Sequence, residues 1–189
     1  VVAVFMGNVL QAEEAGYAAR LAALRGGIPE EVPAIAVNRA CSSGLEAINI
    51  AAMFVRAGEV DIAVAGGTEN MSQPPFLLDY RARFDGLRMG SSEIRDSLIG
   101  GLSCPVNRYH MGVGAENIAE KYEISRQDQD DLALTSQRRA VAAMSEGRFE
   151  EQIVPVDVPQ KKGDPITVST DEGPRQDTSM DILAGLRPI

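Results

Sequence analysis

Tryptophan is absent from the 189 residues, histidine occurs once and cysteine twice. One histidine and two separated cysteines leave no ligand spacing for zinc, and no cluster of carboxylates points to calcium or magnesium. With aromatics at only 5%, no stacking platform for bases is expected. Positive charge is scarce too: 18 Lys and Arg stand against 27 Asp and Glu, and the net charge of −9 gives no global attraction for nucleic acid or an anionic membrane. Any anionic ligand has to be held locally. No apolar run approaches the roughly 18 to 20 residues of a membrane span, and no basic-then-apolar signal opens the chain. Two cysteines in so long a chain fit a reducing compartment, so Cys41 and Cys104 are expected as free thiols of a cytoplasmic protein. The chain opens in the core-like run Val1 to Phe5 and closes at Leu186-Arg187-Pro188-Ile189, which reads as an interior segment of a longer protein.

What is present suits a soluble globular domain with room for an appended lobe. Val1 to Phe5 is a strand by its β-branched content, and Ala18, Leu21, Ala22 and Leu24 give helical periodicity closing at Gly26-Gly27. Residues 33–37 predict a second strand, 44–55 a second helix and 60–65 a third strand ending at Gly66-Gly67. This alternation predicts an α/β layer with a largely parallel sheet whose strands are covered on both faces. From Met71 to Arg108 no period holds, and short elements forming a lid or contact surface are expected. Residues 114–122 form a helix by composition. Ser125 with Asp128 resembles a capping box opening a helix to about Ser145 with Gly147 as its stop, and 152–158 with 166–168 predict a hairpin.

Cys41 lies in Asn38-Arg39-Ala40-Cys41-Ser42-Ser43-Gly44, between a predicted strand and a predicted helix. A sulfur there faces unpaired backbone N–H groups and the positive end of the helix dipole, which favour thiolate. It could equally be a small buried hydrophobe. His110, in Tyr109-His110-Met111-Gly112, is either a structural or surface histidine or part of a ligand-facing loop, and Met111 can serve as core filler. Gly66-Gly67-Thr68-Glu69 follows a strand but lacks the glycine spacing of a dinucleotide fingerprint and the Gly-Lys-Ser/Thr ending of a phosphate loop. Close backbone packing is the simpler role for its glycines. Arg81, Arg83, Arg88, Arg95 and Arg108 form a group that could contact an anion or make local surface ion pairs.

Asn38 to Gly44 resembles the nucleophile motif of the thiolases, the acetyl-CoA C-acetyltransferase and 3-ketoacyl-CoA thiolase family. Residues 5–11, 65–72, His110-Met111-Gly112 with Ala115-Glu116-Asn117, residues 125–130, Gly147-Arg148-Phe149, residues 151–156 and Leu186-Arg187-Pro188 are similar to successive family segments, in order. The resemblance implies a layered α/β/α thiolase-like fold with an inserted loop domain, an incomplete N-terminal half. Residues 1–70 would be the core carrying the nucleophile, 71–110 the loop domain covering coenzyme A and aiding association, and 111–189 the rest of the N-terminal domain. Cys41 would accept the acyl group, with its own backbone N–H helping to bind the thioester oxyanion, and Leu102, His110 and Met111 would line the pantetheine tunnel. Acetyl-CoA and other acyl-CoA thioesters are implied as substrates, with no further cofactor, in a homodimer or homotetramer. The family's Gly-His-Pro histidine and Cys-x-Gly acid/base cysteine have no counterpart here, and Cys104 in Gly101-Leu102-Ser103-Cys104-Pro105 does not match the latter. The isolated chain is therefore expected to be nearly inactive without a C-terminal half. The alternative is a noncatalytic acyl-CoA-binding or subunit-association module derived from a thiolase.

Overall fold

The computed structural model describes residues 1–12, 17–84, 86–87 and 89–189, so Arg88 of the arginine group lies outside the described residues. Contacts divide the chain into two units, Val1–Met111 and Gly112–Ile189. The first opens with β1 (Ala3–Gly7), α1 (Ala18–Arg25), β2 (Ala34–Val37), α2 (Ser43–Arg56) and β3 (Ala63–Gly67). The three strands form a parallel sheet in the order β2-β1-β3, with Phe5 level with Ile35 on one side and Ala65 on the other.

Successive residues of a strand point to opposite faces. Ala3 and Phe5 pack with Val37, Ala47 and Ala51, whereas Val4 packs with Ala23 and Val32. The helices α2 and α1 therefore cover opposite faces of β1, which gives the α/β/α layering and explains why this central strand shows no polar alternation. Phe5 is fully buried and its ring stands 5.1 Å from that of Phe54, tilted by 58°. The flanking strands are less covered: Ile35 and Val64 stay exposed.

The aperiodic stretch folds into short elements, β4 (Phe76–Leu78), α3 (Arg81–Phe84), β5 (Ile94–Asp96) and α4 (Ser97–Gly101), with β4 antiparallel to β5. Asp79 ties them together, accepting from Arg81 Nε at 2.9 Å and Arg95 Nη2 at 3.1 Å. Two of the four described arginines of the group, Arg81 and Arg95, are thus engaged in local ion pairs. The bond from the Arg81 side chain holds the Asp79 carboxyl below its ordinary range. Asp96 caps α4 by accepting from Leu98 N at 2.8 Å.

The second unit carries α5 (Met111–Lys121, starting at the unit boundary), α6 (Arg126–Ser145), the antiparallel pair β6 (Val156–Val158) and β7 (Ile166–Val168), and α7 (Met180–Ala184). Ser125 and Asp128 form the expected reciprocal capping box, and Gly147 takes φ +70 just past the end of α6. Arg126 joins α6 to α7, its Nε bonding Asp130 at 2.9 Å and its Nη2 donating to the Leu183 and Leu186 carbonyls. Boundaries differ from the sequence expectation in several elements, and the first strand runs 3–7 instead of 1–5. The third strand runs 63–67 instead of 60–65, because Gly66 and Gly67 continue pairing with Met6 and Gly7. The helix expected over 114–122 begins at Met111, and the strand expected over 152–158 shrinks to 156–158, beyond Pro155, which has no N–H to give. Among the described residues, no helix is long and apolar enough to cross a membrane.

Candidate active site

Cys41 sits two residues before α2, at the end of a turn wound by its own backbone. Ser42 N donates to Arg39 O at 3.2 Å and Ser43 N to Ala40 O at 3.0 Å. The buried Ser43 hydroxyl accepts from Arg39 N at 2.8 Å and donates to Ala40 O at 2.6 Å. Ala40 N donates to Asn38 Oδ1 at 3.2 Å, and Ala40 itself is held at φ +49, a left-handed conformation unfavourable for a residue with a Cβ. These bonds fix the residue just before the thiol. They also narrow the sequence argument for Cys41, since the Ser42 and Ser43 N–H groups serve this turn.

The alternative of a buried hydrophobe fails: Cys41 is a free, exposed thiol, and Cys104 is a free, half-buried one. Cys41 lines a cleft of about 410 Å³ together with Gly7, Gly44 and Gly67 and the apolar side chains of Leu10, Met71 and Leu102. Gly7 and Gly67 permit close backbone approach at this cleft. A Cβ on Gly7 would lie 2.5 Å from Gly44 N, and one on Gly67 would lie 3.3 Å from Gly7 O. Strand ends and the α2 N-terminus touch backbone to backbone here, in keeping with a packing role for Gly67, whereas a Cβ on Gly66 would meet only the Met6 side chain at 3.5 Å.

Of the residues expected to serve binding, Leu102 shares the cleft with Cys41, although 61 positions separate them in the chain. Met111 N donates to Leu102 O at 2.9 Å, Ser103 and His110 form an antiparallel bridge, and Cys104 N donates to Tyr109 O at 2.8 Å. The fold thus gathers Leu102, His110 and Met111 at one closed loop, but only Leu102 lines the cleft; His110 and Met111 are exposed beside it in sequence and hydrogen bonding. Inside that loop the Cys104 thiol is drawn below its ordinary pKa, chiefly by the backbone N–H groups of Asn107 and Val106. No group of three or more His, Cys, Asp or Glu able to hold a metal occurs among the described residues.

Sequence reasoning passed over Glu69. Its carboxylate accepts from Val9 N at 2.8 Å, from Leu10 N at 3.2 Å and from Asn8 Nδ2 at 3.2 Å, closing the loop after β1 against the end of β3. A glutamate behind two glycines carries no signal of this; only the parallel pairing of β1 and β3 brings Glu69 to the loop 60 residues earlier.

Similarity to known proteins agrees with the geometry. The family described as "Thiolase, N-terminal domain" matches residues 1–189. Proteins named "Probable acetyl-CoA acyltransferase" from Staphylococcus aureus (strain COL) and Staphylococcus epidermidis (strain ATCC 12228 / FDA PCI 1200) are each 50% identical over 186 residues, which is 98% of this chain and 47% of theirs. The crystal structure of the Bacillus anthracis acetyl-CoA acetyltransferase superposes over the whole chain with a TM-score of 0.91 at 39% identity. That of human mitochondrial 3-ketoacyl-CoA thiolase does so with a TM-score of 0.90 at 40% identity, and the chain covers 47% and 48% of these two structures. The chain therefore spans about half the length of the relatives it matches. Fold, motif order and profile agree, and the chain belongs to the thiolase family, matching its N-terminal domain throughout.

Proposed function

We propose that this chain supplies the acyl-accepting half of a thiolase-type acyl-CoA acyltransferase. The observation that carries this reading is the exposed Cys41 thiol, just before α2, lining a largely apolar cleft. In the first step the Cys41 sulfur attacks the carbonyl of an acyl-CoA thioester, the carbon–sulfur bond to coenzyme A breaks, and the acyl group rests on Cys41. The Cys41 backbone N–H steadies the oxyanion, and Leu102 contacts the pantetheine arm with His110 and Met111 alongside. In the second step an acyl-CoA deprotonated at its α-carbon attacks the acyl-enzyme carbonyl, the bond from that carbon to the Cys41 sulfur breaks, and a 3-ketoacyl-CoA forms as Cys41 leaves as the thiolate; thiolysis is the reverse. Loop residues 71–110 cover coenzyme A and contribute to a homodimer or homotetramer. Removing the α-proton needs a base that no residue of this chain is assigned to supply.

Two measurements test the reading. Protein from the complete gene, incubated with acetyl-CoA and mapped by mass spectrometry, should carry acetyl on Cys41 and lose it in Cys41→Ala; acetyl absent from Cys41 refutes the assignment. The 189-residue chain alone should turn over acetoacetyl-CoA negligibly, and turnover at ordinary enzyme rates, above about 1 s⁻¹, refutes the need for a further half.

The second reading is a noncatalytic association module, and both readings call for a surface that another part of the assembled protein covers. Helix α2 leaves Leu45, Ile48 and Met53 exposed at 62%, 52% and 56%, an apolar surface more typical of an interface than of a free monomer. Tight assembly of the complete protein without acetylation of Cys41 would select it.

A further inference from the structure

The bonds around Glu69 continue to the nucleophile turn. Glu69 holds the backbone N–H groups of Val9 and Leu10 and the Asn8 amide. Asn8 is buried and oriented by a second bond, from its Nδ2 to Thr68 O at 2.8 Å, so its loop is anchored at two places on the end of β3. The same loop presents the Val9 carbonyl to Asn38 Nδ2 at 3.3 Å, and Asn38 Oδ1 accepts from Ala40 N at 3.2 Å. A continuous run of hydrogen bonds thus joins Glu69 to the residue bonded to Cys41. Ala40 is where such support is needed, because its left-handed backbone persists only if neighbouring contacts hold it.

We propose that Glu69 is a positioning residue for Cys41, acting through the 8–10 loop and Asn38 to hold the Ala40–Cys41 peptide in the orientation that aims the thiol into the cleft. This rests on the reading of Cys41 as acyl acceptor. A carboxylate suits the task because it accepts several N–H donors at once, with bonds stronger than those of a neutral acceptor. Glu69 also lines the cleft beside Leu10, so the clamp fixes one apolar wall together with the nucleophile.

The test compares Glu69→Ala, Glu69→Gln and Asn38→Ala in protein from the complete gene. Glu69→Ala should slow acetylation of Cys41 in a single turnover about 10- to 100-fold while leaving KM for acetyl-CoA within about threefold, the pattern of misplacement and not of lost binding. Glu69→Gln keeps one acceptor oxygen, should fold where Glu69→Ala does not, and should recover at least half of that loss on a logarithmic scale. Asn38→Ala should match Glu69→Ala, and the double variant should be no slower than either, because both cut one chain of contacts. Amide hydrogen exchange reads the relay without reference to acyl chemistry: Glu69→Ala should speed exchange at Ala40 while Ala47 and Ala51 within α2 stay protected. An unchanged Ala40 amide, or full-rate acetylation in Glu69→Ala, overturns the proposal. Failure of parental Cys41 to accept acetyl, with Ala40 exchange still responding to Glu69, refutes the nucleophile and leaves the relay standing.

Discussion

Gly7→Ala is the sharpest test of how the cleft is built. Gly7 ends β1 with ordinary backbone angles, so only space restricts it; a Cβ there would meet Gly44 N at 2.5 Å, Ser43 C at 2.6 Å and Ser43 O at 2.8 Å. All three are backbone atoms of the first turn of α2 and none can swing aside. Restoring an ordinary contact of 3.4 Å requires the helix start to retreat by about 0.9 Å, and Cys41, two residues upstream, moves with it. Overpacking of this kind costs about 1–3 kcal/mol. A displacement near 1 Å at the nucleophile should slow acetyl transfer by up to about 100-fold. Denaturant unfolding and single-turnover acetylation of protein from the complete gene measure the two effects separately. Gly100→Ala is the control, because a Cβ there meets nothing within 4 Å; it should stay within about 0.5 kcal/mol of the parent. If Gly7→Ala matches the control in both stability and rate, the backbone-on-backbone contact does not set the position of Cys41.

Phe5→Ala empties the one large side chain that is fully buried among the described residues and removes the ring contact with Phe54; a loss of about 3–5 kcal/mol in urea unfolding is expected, and a loss below 1 kcal/mol contradicts the assigned core. Ser125→Ala removes the cap of α6 and should cost about 1 kcal/mol. Its partner Asp128 has a carboxyl pKa lowered by the Ser125 side-chain and backbone bonds, so the capping contribution is complete above the ordinary carboxylate pKa near 4 and fades as pH falls through the lower folded value. A Ser125→Ala deficit that grows on acidification would contradict that sign. In Cys41→Ser protein, iodoacetamide labelling of Cys104 followed against pH should show a midpoint below the ordinary thiol value of 9.0, as its amide bonds require; a midpoint at or above 9.0 rules out the Cys104–Val106–Asn107 arrangement.

Local chemistry explains which parts of this molecule could be read in advance. Val4, Phe5 and the Ala-rich face of α2 state their burial in their own side chains, and Ser125 with Asp128 closes a helix end using only neighbours, so strand, helix and cap follow from short windows of sequence. The end of β3 did not follow, because Gly66 and Gly67 are strand breakers by composition and become strand members only through their pairing with Met6 and Gly7 of β1. The cleft did not follow either. Leu102 reaches Cys41 from an insertion without periodicity, and Glu69 matters only once the β1–β3 pairing delivers it to the Asn8–Leu10 loop. The same contrast bears on the proposed acyl acceptor, Cys41. The motif around Cys41 marks the proposed acyl acceptor, and the contacts proposed to orient it come from two other segments, a glycine at the end of β1 that lets α2 approach and a glutamate after β3 that binds the Asn8–Leu10 loop. If both act through the Ala40–Cys41 peptide, Gly7→Ala and Glu69→Ala should slow acetyl transfer together by less than the product of their separate effects. Independent, fully multiplicative losses would mean that Gly7 sets the depth of the cleft while Glu69 shapes only its wall.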